Sequence, residues 1–144
     1  MADTYLRQSP LAHLHLNARA TNEPNNEKAS VEIGERPLLG MINLRGQCQD
    51  PAFFNEVKKI LRFEIPKKVN TVSGDTEQIH ALCLGPDEWL IVTPPNAEIT
   101  LHAELNKALS EVHSAITLTG DARTTIRLSG VYARNTLTKG CSLD

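Results

Sequence analysis

Asp87 and Glu88 are the first residues whose types suggest chemistry, because a general acid and a general base are often two carboxyl groups at one site. On a strand, however, successive side chains point to opposite faces, and at a turn both are simply solvated. Glu88 is better expected to pair with an arginine across a sheet, Arg45 or Arg127, at the ~0–1 kcal/mol of a surface ion pair. His13 and His15 form an HxH pair that would face one way on a strand. Zinc needs three or four ligands, and no cysteine or acid is spaced to join them. His80, His102 and His113 are scattered, the first in a strand-like run and the others on the polar side of a helical one. Cys48, Cys83 and Cys141 are odd in number and lack CxxC spacing, as expected of reduced thiols. Cys83, between Leu82 and Leu84, reads as a small core hydrophobe. Neither GxGxxG nor GxxxxGK followed by Ser or Thr occurs, so no nucleotide site is indicated. No catalytic, cofactor-binding or metal-ligating residue is therefore assigned.

The elements that would position these residues alternate in type. Leu38 to Arg45 reads as a strand ending at Gly46, with Gly40 marking a bulge or a close backbone approach. Asp50 and Pro51 suit the cap and first position of a helix whose Phe53, Val57, Ile60 and Leu61 share one face, and which must stop before Ile65-Pro66. Runs from Glu77 to Leu84 and from Glu88 to Thr93, separated by Gly85-Pro86-Asp87, predict a hairpin. Leu101, Leu105, Ala108, Leu109 and Val112 predict an amphipathic helix. Strands over Ala115 to Leu118 and Thr124 to Leu128 follow. A last helix is expected over 131–139, with Leu137 inward and Gly140 as its C-terminal cap. This order implies an α+β class, an antiparallel or mixed sheet with helices on one face. In the hairpin, Trp89 and Ile91 share one face and Leu90 and Val92 the other, so both faces need cover. Trp89, the only tryptophan, reads equally as a core or an interface residue.

Composition bounds the rest. The 144 residues suit one domain, expected over 31–144 behind an N-terminal arm and a polar, Asn-rich linker over 1–30. With 40% hydrophobic and 22% charged residues the chain should fold, and its net charge of −2 argues against a general polyanion binder. Apolar runs are far too short for a membrane span and Met1 to Arg7 holds no apolar signal core, so a cytoplasmic address is expected. Lys58, Lys59, Arg62, Lys67 and Lys68 against Glu64 concentrate positive charge, read either as a solvated face or as a surface for an acidic partner.

Three segments resemble the gamma subunit of heterotetrameric sarcosine oxidase: Ile42-Asn-Leu-Arg-Gly46, Leu84-Gly-Pro-Asp-Glu-Trp-Leu90, and Ile126-Arg-Leu-Ser-Gly130, running on through Ala133-Arg134 to Leu137-Thr-Lys-Gly-Cys-Ser-Leu-Asp144. Ser9-Pro10-Leu11 adds to them. The resemblance implies a fold similar to the folate-binding domain of aminomethyltransferases. It implies a noncatalytic partner in a complex that oxidatively demethylates sarcosine to glycine, with FAD, FMN and NAD on other subunits, above all the large alpha subunit, and tetrahydrofolate accepting the one-carbon unit. No catalytic residue carries over. Arg45, Gly85, Pro86, Asp87, Glu88, Trp89, Arg127 and Gly130 are expected to form a structural or interface motif. A stand-alone folate-binding module of the same fold is the alternative. The family pattern runs on past Asp144 with further strands, so an open sheet edge in need of a partner is also expected.

Overall fold

The computed structural model describes residues 7–16, 18 and 30–141 of the chain. The linker expected before Ser30 falls almost wholly outside the described residues. The chain divides into two units, one continuous over Leu38–Arg123 and one assembled from the described residues up to Pro37 together with those from Thr124 onward.

The continuous unit carries five antiparallel strands, β2 (Gly40–Gly46), β3 (Val72–Gly74), β4 (His80–Gly85), β5 (Glu88–Thr93) and β6 (Ser114–Leu118), in the order β3-β4-β5-β2-β6. Helix α1 (Pro51–Leu61) starts where the sequence predicts: Asp50 is extended and its Oδ1 accepts from the Ala52 amide at 2.8 Å, with Pro51 at the first position. It ends earlier than Ile65-Pro66 requires, because Arg62 turns left-handed (φ 68°) and its N–H closes on the Lys58 carbonyl. Helix α2 (Ala97–Ala108) buries Leu101 and Leu105, and Leu109 follows at its end.

Register explains the core. β2 places Ile42 opposite Ile91 and Leu44 opposite Trp89, while β4 sets Ala81 and Cys83 against the same two β5 residues. All six are buried in one cluster with Phe53, Val57 and Leu61 of α1 and Leu101 and Leu105 of α2, so both helices cover the same sheet face. Each large side chain so removed from water contributes roughly 1.5–3 kcal/mol. At Gly40 an added Cβ would lie 2.3 Å from both Glu98 Oε2 and Thr93 Oγ1, which accounts for the close approach read there. The opposite sheet face carries Leu82, Leu90 and Val92, of which Val92 is buried and the other two are half-buried.

In the second unit β1 (Glu32–Arg36) pairs antiparallel with β7 (Thr125–Ser129), Glu32 opposite Ser129 and Arg36 opposite Thr125. The strand at 124–128 thus leaves the main sheet for a two-stranded ribbon of its own. Helix α3 (Ala133–Gly140) follows, and here an expectation fails: Leu137 is 59% exposed, not inward, and Gly140 ends the helix itself, with Cys141 as cap. Every buried apolar residue among those described lies between Met41 and Leu109, so α3 has no buried face to offer.

Candidate functional site

The hairpin joining β4 to β5 gathers most of the motif residues. Gly85 faces Glu88 across a two-residue loop of Pro86 and Asp87, and a register shift between Cys83 and Gly85 takes up Leu84 as a bulge. The Cys83 thiol turns to the Gly85 carbonyl at 3.2 Å, and the Gly46 amide donates to the Asp87 carbonyl at 3.1 Å. The turn is thereby tied to β2.

Side chains repeat the tie. Arg45 stands directly opposite Glu88 in register, yet its Nη2 donates to Asp87 Oδ2 at 2.8 Å, with both side chains about half exposed. Glu88 Oε1 instead accepts from Asn43 Nδ2 at 2.7 Å. The expected Arg45–Glu88 pair is therefore replaced by an Arg45–Asp87 pair, because the guanidinium reaches past its strand partner to the turn. Arg127 belongs to the other sheet, opposite Gly34, so it is no cross-strand neighbour of Glu88. Asp87 and Glu88 thus face different donors, Arg45 and Asn43, rather than one common atom.

Trp89 points to the other face. It is 1% exposed, its ring centroid lies 5.5 Å from that of Phe53 and 5.7 Å from that of Phe54, and its Nε1 donates to the Pro66 carbonyl at 2.7 Å. That bond satisfies the one polar atom of the indole and staples the loop after α1 to the sheet. Gly46 sits against the same cluster, where an added Cβ would be 2.3 Å from Phe53 Cε2. Asn43, Phe53, Phe54 and Pro66 were not singled out by the sequence as site residues; the Phe53-Phe54 doublet is a signal that could have led to the two rings beside Trp89, and none in the sequence marks Asn43 or Pro66.

The remaining motif positions are in the ribbon unit. Arg127 is an exposed residue of β7. Gly130 has φ +108° and an added Cβ would lie 2.4 Å from the Ser30 carbonyl oxygen, so the position requires glycine twice over. The Tyr132 amide donates to the same Ser30 oxygen, and the Ala133 amide to the Gly130 carbonyl, which leads the chain into α3.

The other candidates stay apart. His13 lies in a short 3-10 turn with Nδ1 3.1 Å from the Pro10 carbonyl. His102, expected on the polar side of its helix, is half-buried with Nε2 3.3 Å from the Ile116 carbonyl. Cys48 is exposed, Cys83 buried and Cys141 intermediate, and none forms a disulfide. Among the described residues no three His, Cys, Asp or Glu side chains are grouped to hold a metal ion, and no helix is long and apolar enough to cross a membrane. Two clefts flank the motif. One of about 340 Å³ lies beside the turn, lined by Arg45, Gln47, Asp87 and His113 among others. The second, of about 230 Å³, opens at the start of α1 around Phe54. Near it, Glu64 has its carboxyl held below the usual range, first by the hydrogen bond from Lys58 and then by the Lys58 charge, against the opposing effect of burial, with a lesser lowering from the charge of Lys67.

A five-stranded antiparallel sheet with two helices on one face and a tied hairpin defines the class. The fold is that of the aminomethyltransferases: the structure of the glycine cleavage system aminomethyltransferase T from Bartonella henselae superposes with a TM-score of 0.60 at 15% identity over 90% of this chain and 35% of that one. A nearer likeness is a chain of the heterotetrameric sarcosine oxidase from Corynebacterium sp. U-96, solved in complex with pyrrole 2-carboxylate, with a TM-score of 0.81 at 28% identity over 97% of this chain and 69% of that one. Sarcosine oxidase subunit gamma of Corynebacterium sp. (strain P-1) is 29% identical over 141 residues, and that of Arthrobacter sp. 32% identical over 144. The chain spans 66% of the length of each of these two relatives. The sarcosine oxidase gamma subunit family model matches residues 45–144, and the chain belongs to that family.

Proposed function

We propose that the chain serves as a noncatalytic structural subunit of a sarcosine oxidase complex in the cytoplasm. Oxidative demethylation of sarcosine to glycine takes place on other subunits, which carry FAD, FMN and NAD and pass the one-carbon unit to tetrahydrofolate. The large alpha subunit is the partner. The observation that carries this reading is the likeness, over nearly the whole chain, to a chain from a heterotetrameric sarcosine oxidase. The chemistry of the motif supports it, since Asp87, Glu88 and Trp89 are each engaged in holding the hairpin to its neighbours. The alternative of a stand-alone folate-binding module draws only on the aminomethyltransferase likeness, which at 15% identity speaks for the fold alone.

Co-expression with the other subunits tests the reading. Sarcosine-dependent peroxide formation is expected from the assembled complex and not from the isolated chain; activity of the isolated chain would refute it. Calorimetric titration of the isolated chain with tetrahydrofolate is expected to be silent, and tight binding would favour the module instead.

A further inference from the structure

Strand β6 lies at one end of its sheet, beside β2 alone. In an antiparallel pair, residues that exchange backbone bonds with the partner alternate with residues that aim theirs away from it. The Thr119 N–H donates to the Met41 carbonyl, one step beyond the Ile42–Leu118 pair, so Asn43 and Arg45 exchange bonds with Thr117 and Ala115 in the same way. The Gly46 N–H, donating to the Asp87 carbonyl, turns the alternate residues of β2 toward β5 and agrees with that phase. Ser114, Ile116 and Leu118 therefore present their N–H and C=O groups at the open edge. Among the described residues no backbone group bonds to them there. One side chain does. His102, half-buried on α2, has Nε2 3.3 Å from the Ile116 carbonyl, and because an oxygen only accepts, the ring nitrogen carries the proton of that contact. Asn106, one turn further along α2, anchors its Nδ2 on the His102 carbonyl at 2.8 Å and stands 3.1 Å from the same Nε2, which limits the swing of the ring.

We propose that His102 guards the β6 edge, an autoinhibitory contact that keeps β6 from pairing antiparallel with the β6 of a second copy of this chain. Three observations support it. An added strand runs about 4.7–4.9 Å from its neighbour, so its backbone would need the space that the imidazole takes beside the carbonyl of the middle residue. The strand lacks the common protections of an edge: Ser-Ala-Ile-Thr-Leu holds neither a charge nor a proline, whereas β3 at the opposite end of the sheet is protected by being only three residues long. The edge is also self-complementary. Two copies paired antiparallel about Ile116 set Ser114 opposite Leu118 and Ile116 opposite its counterpart, so outward groups meet outward groups throughout and no like charges are opposed. That register brings both His102 rings to the two-fold axis, where they obstruct most. This inference is independent of the subunit reading, and either can fail alone.

Removing the ring from the full chain tests the guard. In sedimentation velocity over about 10–300 µM protein, His102→Ala should raise the self-association constant about tenfold or more over the parent, as the central backbone bonds become available. Native-state hydrogen exchange locates the contact. In the parent the Ile116 and Leu118 N–H groups should exchange quickly at every protein concentration, while those of Ala115 and Thr117, bonded to β2, are protected. In His102→Ala the Ile116 and Leu118 groups should slow severalfold as concentration rises. Adding Leu118→Pro, which removes one outward N–H and leaves the bonds to β2 in place, should return association to the parent's level. His102→Gln, whose amide reaches the same carbonyl, should stay within about threefold of the parent. The proposal is overturned if His102→Ala keeps its circular dichroism spectrum yet associates no more than the parent, or if its association survives Leu118→Pro or leaves exchange at Ile116 and Leu118 unchanged. Association of His102→Gln as strong as that of the alanine variant also overturns it. If alanine impairs folding, the parent alone decides: slow exchange of Ile116 and Leu118 in dilute solution would show the edge covered by other means and refute the guard.

Discussion

Replacing Trp89 by alanine removes the largest fully buried side chain of the protein. Loss of a buried tryptophan costs about 3–5 kcal/mol through lost transfer energy and the cavity left behind. The upper half of that range is expected here, because Phe53 and Phe54 belong to one helix and cannot both collapse into the gap, and because the Pro66 carbonyl loses its indole donor. Against a total domain stability of about 5–15 kcal/mol this is a large fraction. At roughly 3–6 °C per kcal/mol for a domain of this size, the melting temperature should fall by about 12–30 °C. Trp89→Phe keeps an aromatic ring in the cluster but leaves Pro66 unsatisfied, and should cost about 1–3 kcal/mol. Far-UV circular dichroism with urea and with heat measures both, since Trp89→Ala removes the only tryptophan and with it the fluorescence signal. An alanine variant within about 1 kcal/mol of the parent would refute the assignment of the indole as the centre of the core.

Gly46→Ala should destabilise by about 1–3 kcal/mol, because the added methyl meets the Phe53 ring, itself fixed by the core; urea midpoints check it. Asp50→Ala, which frees the Ala52 amide, should cost about 1 kcal/mol, and Asp50→Ser should recover most of it in the same assay. Glu64 has a lowered folded-state pKa, so its contribution to stability is present above the ordinary glutamate value and fades as pH falls through the lowered one. Carbon-detected NMR titration should find its midpoint below that of a free glutamate, and Lys58→Gln should move it upward; an unmoved midpoint would refute Lys58 as the main cause. Arg45→Ala should change stability by less than about 1 kcal/mol, as its pair with Asp87 is half exposed, and a larger loss in thermal melts would mean the pair governs hairpin register.

The elements with local signals were readable. Asp50-Pro51 marks the start of α1 through a cap and a preset φ, the Leu101, Leu105 and Leu109 stripe marks the buried face of α2, and Gly85-Pro86-Asp87 marks the hairpin. What escaped depends on partners distant in sequence. β1 carries no strict apolar alternation and exists because it pairs with β7, which is far away in sequence, as in Glu32 with Ser129. β3 is only three residues long and borrows its geometry from β4. Leu137 has helical spacing, yet its helix buries no residue, and periodicity cannot report that. At the motif the residue types were legible and their pairing was not. Arg45, Asp87 and Glu88 were all in view, but the choice of Asp87 over Glu88 is made by the reach of a guanidinium to a turn.

The position of β2 between β5 and β6 bears on how the protein comes to exist during synthesis. It leaves the ribosome ahead of both of its neighbours, for its register partners are in β5 and β6, which are translated much later. Until then Ile42 and Leu44 have no mates, and a nascent chain long enough to display β2 but not β5 carries an apolar strand that a chaperone or a neighbouring nascent chain can seize. The unit over Leu38–Arg123 can close once β6 has emerged, whereas the β1–β7 ribbon must wait for chain from both ends of the described molecule. A ribosome paused beyond Arg123 should thus hold a protease-resistant fragment while Glu32 to Arg36 remains cleavable, and the pace of translation across residues 47–113 sets how long β2 is at risk.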